Sequence, residues 1–138
     1  MTAAAPRRLL FLCAANSARS QMAEAIARHV FGDAAIVESA GSAPTDVHAL
    51  ARAALAEIGL DAGGQRSKAV TDVDAARADL VITLCADEVC PVAVSPARRL
   101  HWPLPDPAAG GGSIERFRAV RDELRRRIAD LRREVVSP

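Results

Sequence analysis

The stretch Leu9-Leu10-Phe11-Leu12-Cys13-Ala14-Ala15-Asn16-Ser17-Ala18-Arg19-Ser20-Gln21-Met22 decides the fold. Leu9 to Leu12 is a short apolar run of the kind that forms a strand buried on both faces. Cys13 to Ser20 is a turn of small and polar residues. From Gln21 the chain reads as helix, with Met22, Ala23, Ile26, Ala27 and Val30 on its apolar face and Gly32 as its stop. Strand, loop and helix in that order place the loop at the carboxyl end of a parallel strand, where α/β sheets bind ligands.

Working outward, Ala35-Ile36-Val37 is expected as a second strand, leaving at Ser39-Ala40-Gly41. Thr45 can cap a helix over residues 46–58, with Val47, Leu50, Ala54, Leu55 and Ile58 on one face and Gly59 as its stop. Residues 70–77 can form one short helix. Residues 80–84, Leu-Val-Ile-Thr-Leu, make a strand apolar on both faces, as at the centre of a parallel sheet. Residues 98–102 supply a last short strand. Residues 103–112, with three prolines and three consecutive glycines, must be a loop. Ser113 then caps a long helix with Ile114, Phe117, Val120, Leu124, Ile128, Leu131 and Val135 spaced by three and four residues. This alternation implies one α/β domain over residues 1–138, its four-stranded parallel sheet flanked by helices on both faces.

The composition agrees. With 138 residues, a net charge of +1, 50% hydrophobic and 25% charged residues, the chain can bury over about 65% of its unfolded surface. It is too apolar for a disordered chain, and no apolar run approaches the ~20 residues of a bilayer span. The run after Arg7 and Arg8 is too short for a signal-peptide core, so a cytoplasmic protein is expected. Near-neutral charge and four aromatic residues without a tyrosine argue against nucleic-acid binding. The last helix carries arginines 116, 118, 121, 125, 126, 127, 132 and 133, but five interleaved acidic residues favour a solvated face laced with ion pairs. The size fits a monomer.

The small residues of the loop let its backbone N–H groups turn inward, and the helix adds the positive end of its dipole, making an anion nest. The candidate oxyanion-binding residues are Ala14, Ala15, Asn16, Ser17, Ala18 and Arg19, the last a planar fork for two oxygens of a tetrahedral anion. Cys13 begins the loop, and these surroundings favour its thiolate, a nucleophile aimed at the bound oxyanion. A buried cysteine before an ordinary loop is the plainer alternative. Three cysteines in all, an odd number, fit a disulfide-stapled secreted fold poorly.

Cys13 to Ala25 resembles the signature of the low-molecular-weight tyrosine phosphatase fold, and more closely that of the thioredoxin-coupled arsenate reductases built on it. Ser39-Ala40-Gly41, residues 80–85, Cys90-Pro91, His101-Trp102, Asp106-Pro107 and Val120-Arg121-Asp122-Glu123 continue the resemblance over nearly the whole chain. It implies that Cys13 attacks arsenate, that Ser20 hydrogen-bonds the thiolate, and that Asp106 is the general acid. It further implies that Cys85, then Cys90, pass the oxidising equivalents to a thioredoxin-like reductant, with phosphate or sulfate as competing oxyanions. No cofactor and no metal are called for. On its own, Asp106 reads as a turn residue.

A phosphatase needs only water after the thiolate attacks, whereas a reductase needs two further thiols. Gln21, where the phosphatases usually have proline, Ala18 in place of their extra cysteine, and the lack of tyrosine favour the reductase. A phosphatase of phosphotyrosine or small phosphate esters, and a non-catalytic arsenic- or oxyanion-binding regulator, are the alternatives. A metal pair of Cys85 and Cys90 with His101 lacks a familiar spacing and a fourth ligand. The chain departs from the family twice. Cys85 and Cys90 are only five positions apart, so the segment between them must curl or refold before they can bond. Asn16, Glu24 and Ser39 match residues that hold potassium in some members, but Lys68 stands in the place of the acidic partner. Its ammonium can substitute for the ion, or it is simply a solvated surface lysine.

Overall fold

The computed structural model describes residues 7–86 and 98–136. In chain order the elements are β1 (Arg7–Cys13), α1 (Arg19–Phe31), β2 (Ala35–Gly41), α2 (Ala49–Ala56), β3 (Leu80–Thr83), β4 (Arg98–His101) and α3 (Ile114–Val136). The strands form one parallel sheet in the order β2-β1-β3-β4. β1 is therefore interior, and Leu9, Leu10, Phe11 and Leu12 are all buried. Alternation along the strand sends Leu9 and Phe11 to the larger core, with the apolar faces of α1, α2 and α3. Leu10 and Leu12 face a smaller cluster with Ala40, Ala78 and Val81. Among the described residues, that second face is covered by two 3-10 helices, Val70–Asp72 and Ala75–Arg77, rather than by the single helix expected over 70–77. Extended backbone at Val73 (φ −115°, ψ 157°) separates the two turns.

Phe117, Val120, Leu124, Ile128 and Leu131 are buried along α3, each such side chain contributing roughly 1.5–3 kcal/mol of transfer free energy. Ser113 Oγ accepts from the Arg116 N–H at 3.3 Å, as a cap should. The outer face of α3 is laced with ion pairs, Arg125 to Asp122, Arg127 to Glu123 and Arg133 to Asp130 among them. Arg121 departs from a solvated face. It is buried, donating to the Ala54 carbonyl at 3.0 Å and to Glu57 at 2.7 Å.

Several boundaries differ from the local pattern: β3, β4 and α2 end one or two residues early, at Thr83, His101 and Ala56. β2 runs on through Ser39, Ala40 and Gly41, which pair with Phe11, Leu12 and Cys13. α1 begins two residues before Gln21, at Arg19. α2 begins at Ala49 rather than Asp46, because the N–H groups of Ala43, Thr45 and His48 are drawn to the carbonyls of Ala14, Ala15 and Ser17. His48 is the cap instead, its Nδ1 accepting from the Leu50 N–H at 3.1 Å.

Candidate active site

The loop after β1 owes its shape to where its carbonyls go. Ala14, Ala15 and Ser17 give theirs to the 43–48 segment at 2.9, 3.2 and 3.0 Å. Asn16 gives its own to Gln21 Nε2 at 3.0 Å, and Ala18 to the Met22 N–H at 2.9 Å. Ser67 Oγ adds a second hydrogen bond to the Ala15 carbonyl at 2.9 Å. In a trans peptide the N–H points opposite to the carbonyl, so the amides of residues 15–19 turn the other way, forming a nest. Asn16 takes a positive φ of 48° to make the turn.

The nest opens on a cavity of about 140 Å³ lined by Cys13, Ala14, Ala15, Ser17, Ala18, Arg19, Thr45, Asp106 and Ala108. Cys13 is 2% exposed and has a free thiol, its Sγ 2.8 Å from Ser20 Oγ. Arg19, 4% exposed, donates through Nη1 to the carbonyls of Leu104 at 2.9 Å and Leu84 at 3.4 Å. Asp106 is fixed by an Asx turn, with Oδ1 accepting the Ala108 N–H at 3.0 Å. Five of the six expected oxyanion-binding residues line this cavity. Asn16 does not, because its side chain is buried beneath the loop.

That buried side chain organises the support. Asn16 Nδ2 donates to Ser20 Oγ at 2.7 Å and Ser39 Oγ at 2.9 Å. Ser39 Oγ donates to Glu24 Oε1 at 2.5 Å. Glu24 is 1% exposed and is also met by Lys68 Nζ at 3.4 Å and Arg28 Nη2 at 2.9 Å. Asn16 Oδ1 accepts from the Lys68 N–H at 2.7 Å. The four residues named from the sequence as loop supports thus form one network with Ser20.

Cys85 lies two residues past β3, buried at 1% exposure and disulfide-bonded. Cys90 lies outside the described residues, as do residues 87–89 of the segment between the two cysteines that is expected to curl or refold. His101 is exposed, its Nδ1 2.6 Å from Thr83 Oγ1. Among the described residues no group of three His, Cys, Asp or Glu side chains is placed to hold a metal ion, and no helix is long and apolar enough to cross a membrane.

Thr45 and Ala108 were missed as site residues. Thr45 reads as a helix cap, and only the knowledge that chain leaving β2 must cross the loop would have moved it to the cavity wall. Ala108 had a signal, since it follows Asp106-Pro107 directly.

Residues 8–137 match the family model for low molecular weight phosphotyrosine protein phosphatases. The chain belongs to that family. Within it, the chain is 43% identical over 126 residues to an arsenate reductase of Halalkalibacterium halodurans, spanning 87% of this chain and 91% of the relative. A solved arsenate reductase in a phosphate-binding state superposes with a TM-score of 0.83 at 34% identity, covering 94% of this chain and 98% of that one. A thioredoxin-dependent arsenate reductase of Corynebacterium glutamicum gives a TM-score of 0.78 at 31% identity, covering 98% of this chain and 64% of that one. The phosphatase-type loop of the family is the nest that begins at Cys13.

Proposed function

We propose that the protein reduces arsenate to arsenite, in a cytoplasmic role of arsenic detoxification. The observation that carries this reading is the convergence of Cys13, the amide nest, Arg19 and Asp106 on one small cavity in a chain whose relatives are named arsenate reductases. Among the described residues that line it, Thr45 and Ala108 included, none carries an aromatic ring to receive an aryl ester.

In this reading the nest and Arg19 hold the oxygens of arsenate while the Cys13 thiolate attacks arsenic. A sulfur–arsenic bond forms, an arsenic–oxygen bond breaks, and Asp106 gives the departing oxygen its proton, so water leaves. Cys85 attacks the Cys13 sulfur, and the electron pair of the sulfur–arsenic bond stays on arsenic, which leaves as arsenite. Cys90 then attacks the Cys85 sulfur, freeing Cys13 and closing a second disulfide. Two thiols are oxidised for each arsenic reduced, and a thioredoxin-like dithiol restores them. Ser20 donates to the Cys13 sulfur, and phosphate or sulfate competes for the nest.

A potassium ion does not fit beside Glu24 in this chain. Oε1 already meets Ser39 Oγ and Lys68 Nζ, and Oε2 meets Arg28. Lys68 serves in its place, its ammonium also donating to the Arg66 carbonyl at 3.1 Å.

The test is arsenate-dependent consumption of a thioredoxin-type reductant by the intact protein, Cys13→Ser and Cys90→Ser. Steady turnover is expected from the intact protein alone, with Cys90→Ser stalling after the first release of arsenite. Phosphate-ester hydrolysis without reductant consumption would instead favour the phosphatase reading. Arsenic binding without turnover would favour a regulator.

A further inference from the structure

Gln21 distinguishes this chain from the phosphatases by identity alone in the sequence, yet in the structure its side-chain amide lies against the support of the nucleophile. Nε2 donates to the Asn16 carbonyl at 3.0 Å, to Asn16 Oδ1 at 3.0 Å and to the Arg66 carbonyl at 2.8 Å. Two of those acceptors are backbone carbonyls, which cannot donate, so the nitrogen end of Gln21 must face them. The oxygen end accepts from Gln65 Nε2 at 2.7 Å. The orientation of Gln21 is therefore settled from both sides.

That orientation is passed on. Asn16 Oδ1 receives two donors, Gln21 Nε2 and the Lys68 backbone N–H. Its Nδ2 must then point the other way, toward Ser20 and Ser39. Ser20 Oγ, accepting from Asn16, has one proton left to give, and Cys13 Sγ lies 2.8 Å away. A hydroxyl that donates to sulfur stabilises the thiolate, whereas one that accepts from it stabilises the thiol. On the other branch, Ser39 accepts from Asn16 and donates to Glu24.

We propose that Gln21 is a positioning residue that, together with the Lys68 backbone N–H, fixes the hydrogen-bond polarity running through Asn16 and Ser20, so that the Ser20 hydroxyl donates to Cys13. The second effect of Gln21 is mechanical. It bonds the Arg66 carbonyl, and Gln65 bonds it in return, so α1 and residues 65–68 are stapled together directly beneath the nest. The proposal rests on Cys13 being the nucleophile and is independent of which oxyanion is attacked.

The experiment measures iodoacetamide alkylation of Cys13 as a function of pH, read by mass at the Cys13 peptide so that the other cysteines do not interfere. Gln21→Met keeps the length of the side chain, adds no charge and removes the donors. Its alkylation at mildly acidic pH should be about threefold to tenfold slower than in the intact protein, through a midpoint raised by up to about one unit. Ser20→Ala should give a shift of similar size. The double variant should match Ser20→Ala alone, since the effect of Gln21 travels through that hydroxyl. An unchanged midpoint in folded Gln21→Met overturns the proposal, and so does a Gln21→Met shift that persists undiminished in the Ser20→Ala background. If Gln21→Met does not fold, Gln65→Leu frees the Gln21 amide from one side. It should give a smaller shift with the same dependence on Ser20, and a shift independent of Ser20 overturns the proposal equally. Failure of arsenate turnover with these pH shifts intact would count against the reductase reading and leave the polarity argument standing.

Discussion

A Cβ added at Gly41 would lie 2.4 Å from the Ala14 carbonyl oxygen, closer than any real contact of that kind. The same atom would meet the Cys13 carbonyl at 2.7 Å and the Asn16 nitrogen at 2.8 Å. All three neighbours are backbone of the anion nest, so no side chain can swing aside to make room. Gly41→Ala should therefore displace the nest while leaving the sheet intact. Because a misplacement of about 1 Å costs roughly 100-fold in rate, kcat/KM should fall by about that factor or more. Phosphate should also lose its ability to raise Tm. An alanine variant with the full phosphate-dependent rise would contradict this account.

Asp106→Asn separates proton delivery from loop geometry. The asparagine oxygen can still accept the Ala108 N–H, so the Asx turn is kept, but no acidic proton remains. Single-turnover rates should drop about 10²–10⁴-fold, with phosphate affinity nearly unchanged. Equal losses in rate and phosphate affinity would mean that the residue shapes the site rather than supplying a proton.

Lys68→Met leaves Glu24 with Arg28 and Ser39 but without its ammonium neighbour. Removing one partner of a buried charge costs up to about 3–5 kcal/mol, and here the remaining partners should hold the loss to about 1–2 kcal/mol. Potassium should restore part of that stability in the variant and have little effect on the intact protein. Denaturant titrations with potassium or a bulky organic cation make the comparison. A strong potassium effect on the intact protein would show that lysine does not take the ion's place.

Outside the residues that line the cavity, Glu57 is held by Arg118 and Arg121. The Arg118 hydrogen bond first, then that of Arg121, lowers its carboxyl from 4.5 to about 2. A depressed folded-state value stabilises the fold above the unfolded value and loses that contribution as pH falls through the folded one. The difference in Tm between intact protein and Glu57→Gln should thus be present near neutral pH, narrow below about 4.5 and vanish near 2. Because Glu57 and Arg118 are exposed it should be modest, and smaller still in high salt. A difference constant with pH would place the effect of Glu57 elsewhere than in its charge.

Much of this was legible in the residues. The apolar runs of β1 and β3 and the three-four spacing of α3 are set by burial, and burial leaves a periodic trace. Residues 13–19 could be assigned to a nest because small residues at a strand–helix junction let successive N–H groups turn inward, but Asn16, counted among the anion-binding residues, supports the loop from beneath instead. What escaped was fixed by partners distant in the chain. Thr45 looked like a cap until the Ala15 carbonyl claimed its N–H, and the cap passed to His48, whose ring nitrogen gives no such signal in sequence. Arg121 looked solvated because its pattern was read along α3 alone, whereas the Ala54 carbonyl that buries it belongs to α2.

The hydrogen bonds that shape the nest join chain positions very far apart: Asn16 to Lys68, Ala15 to Ser67, and Arg19 to Leu104. Closing loops of that length is entropically costly and is repaid only once the sheet has brought their ends together. Catalytic competence should therefore be among the last properties to appear during refolding and among the first to vanish on unfolding. A tetrahedral oxyanion that recognises only the closed nest then acts on the whole chain, drawing it toward the native state in proportion to the logarithm of its concentration.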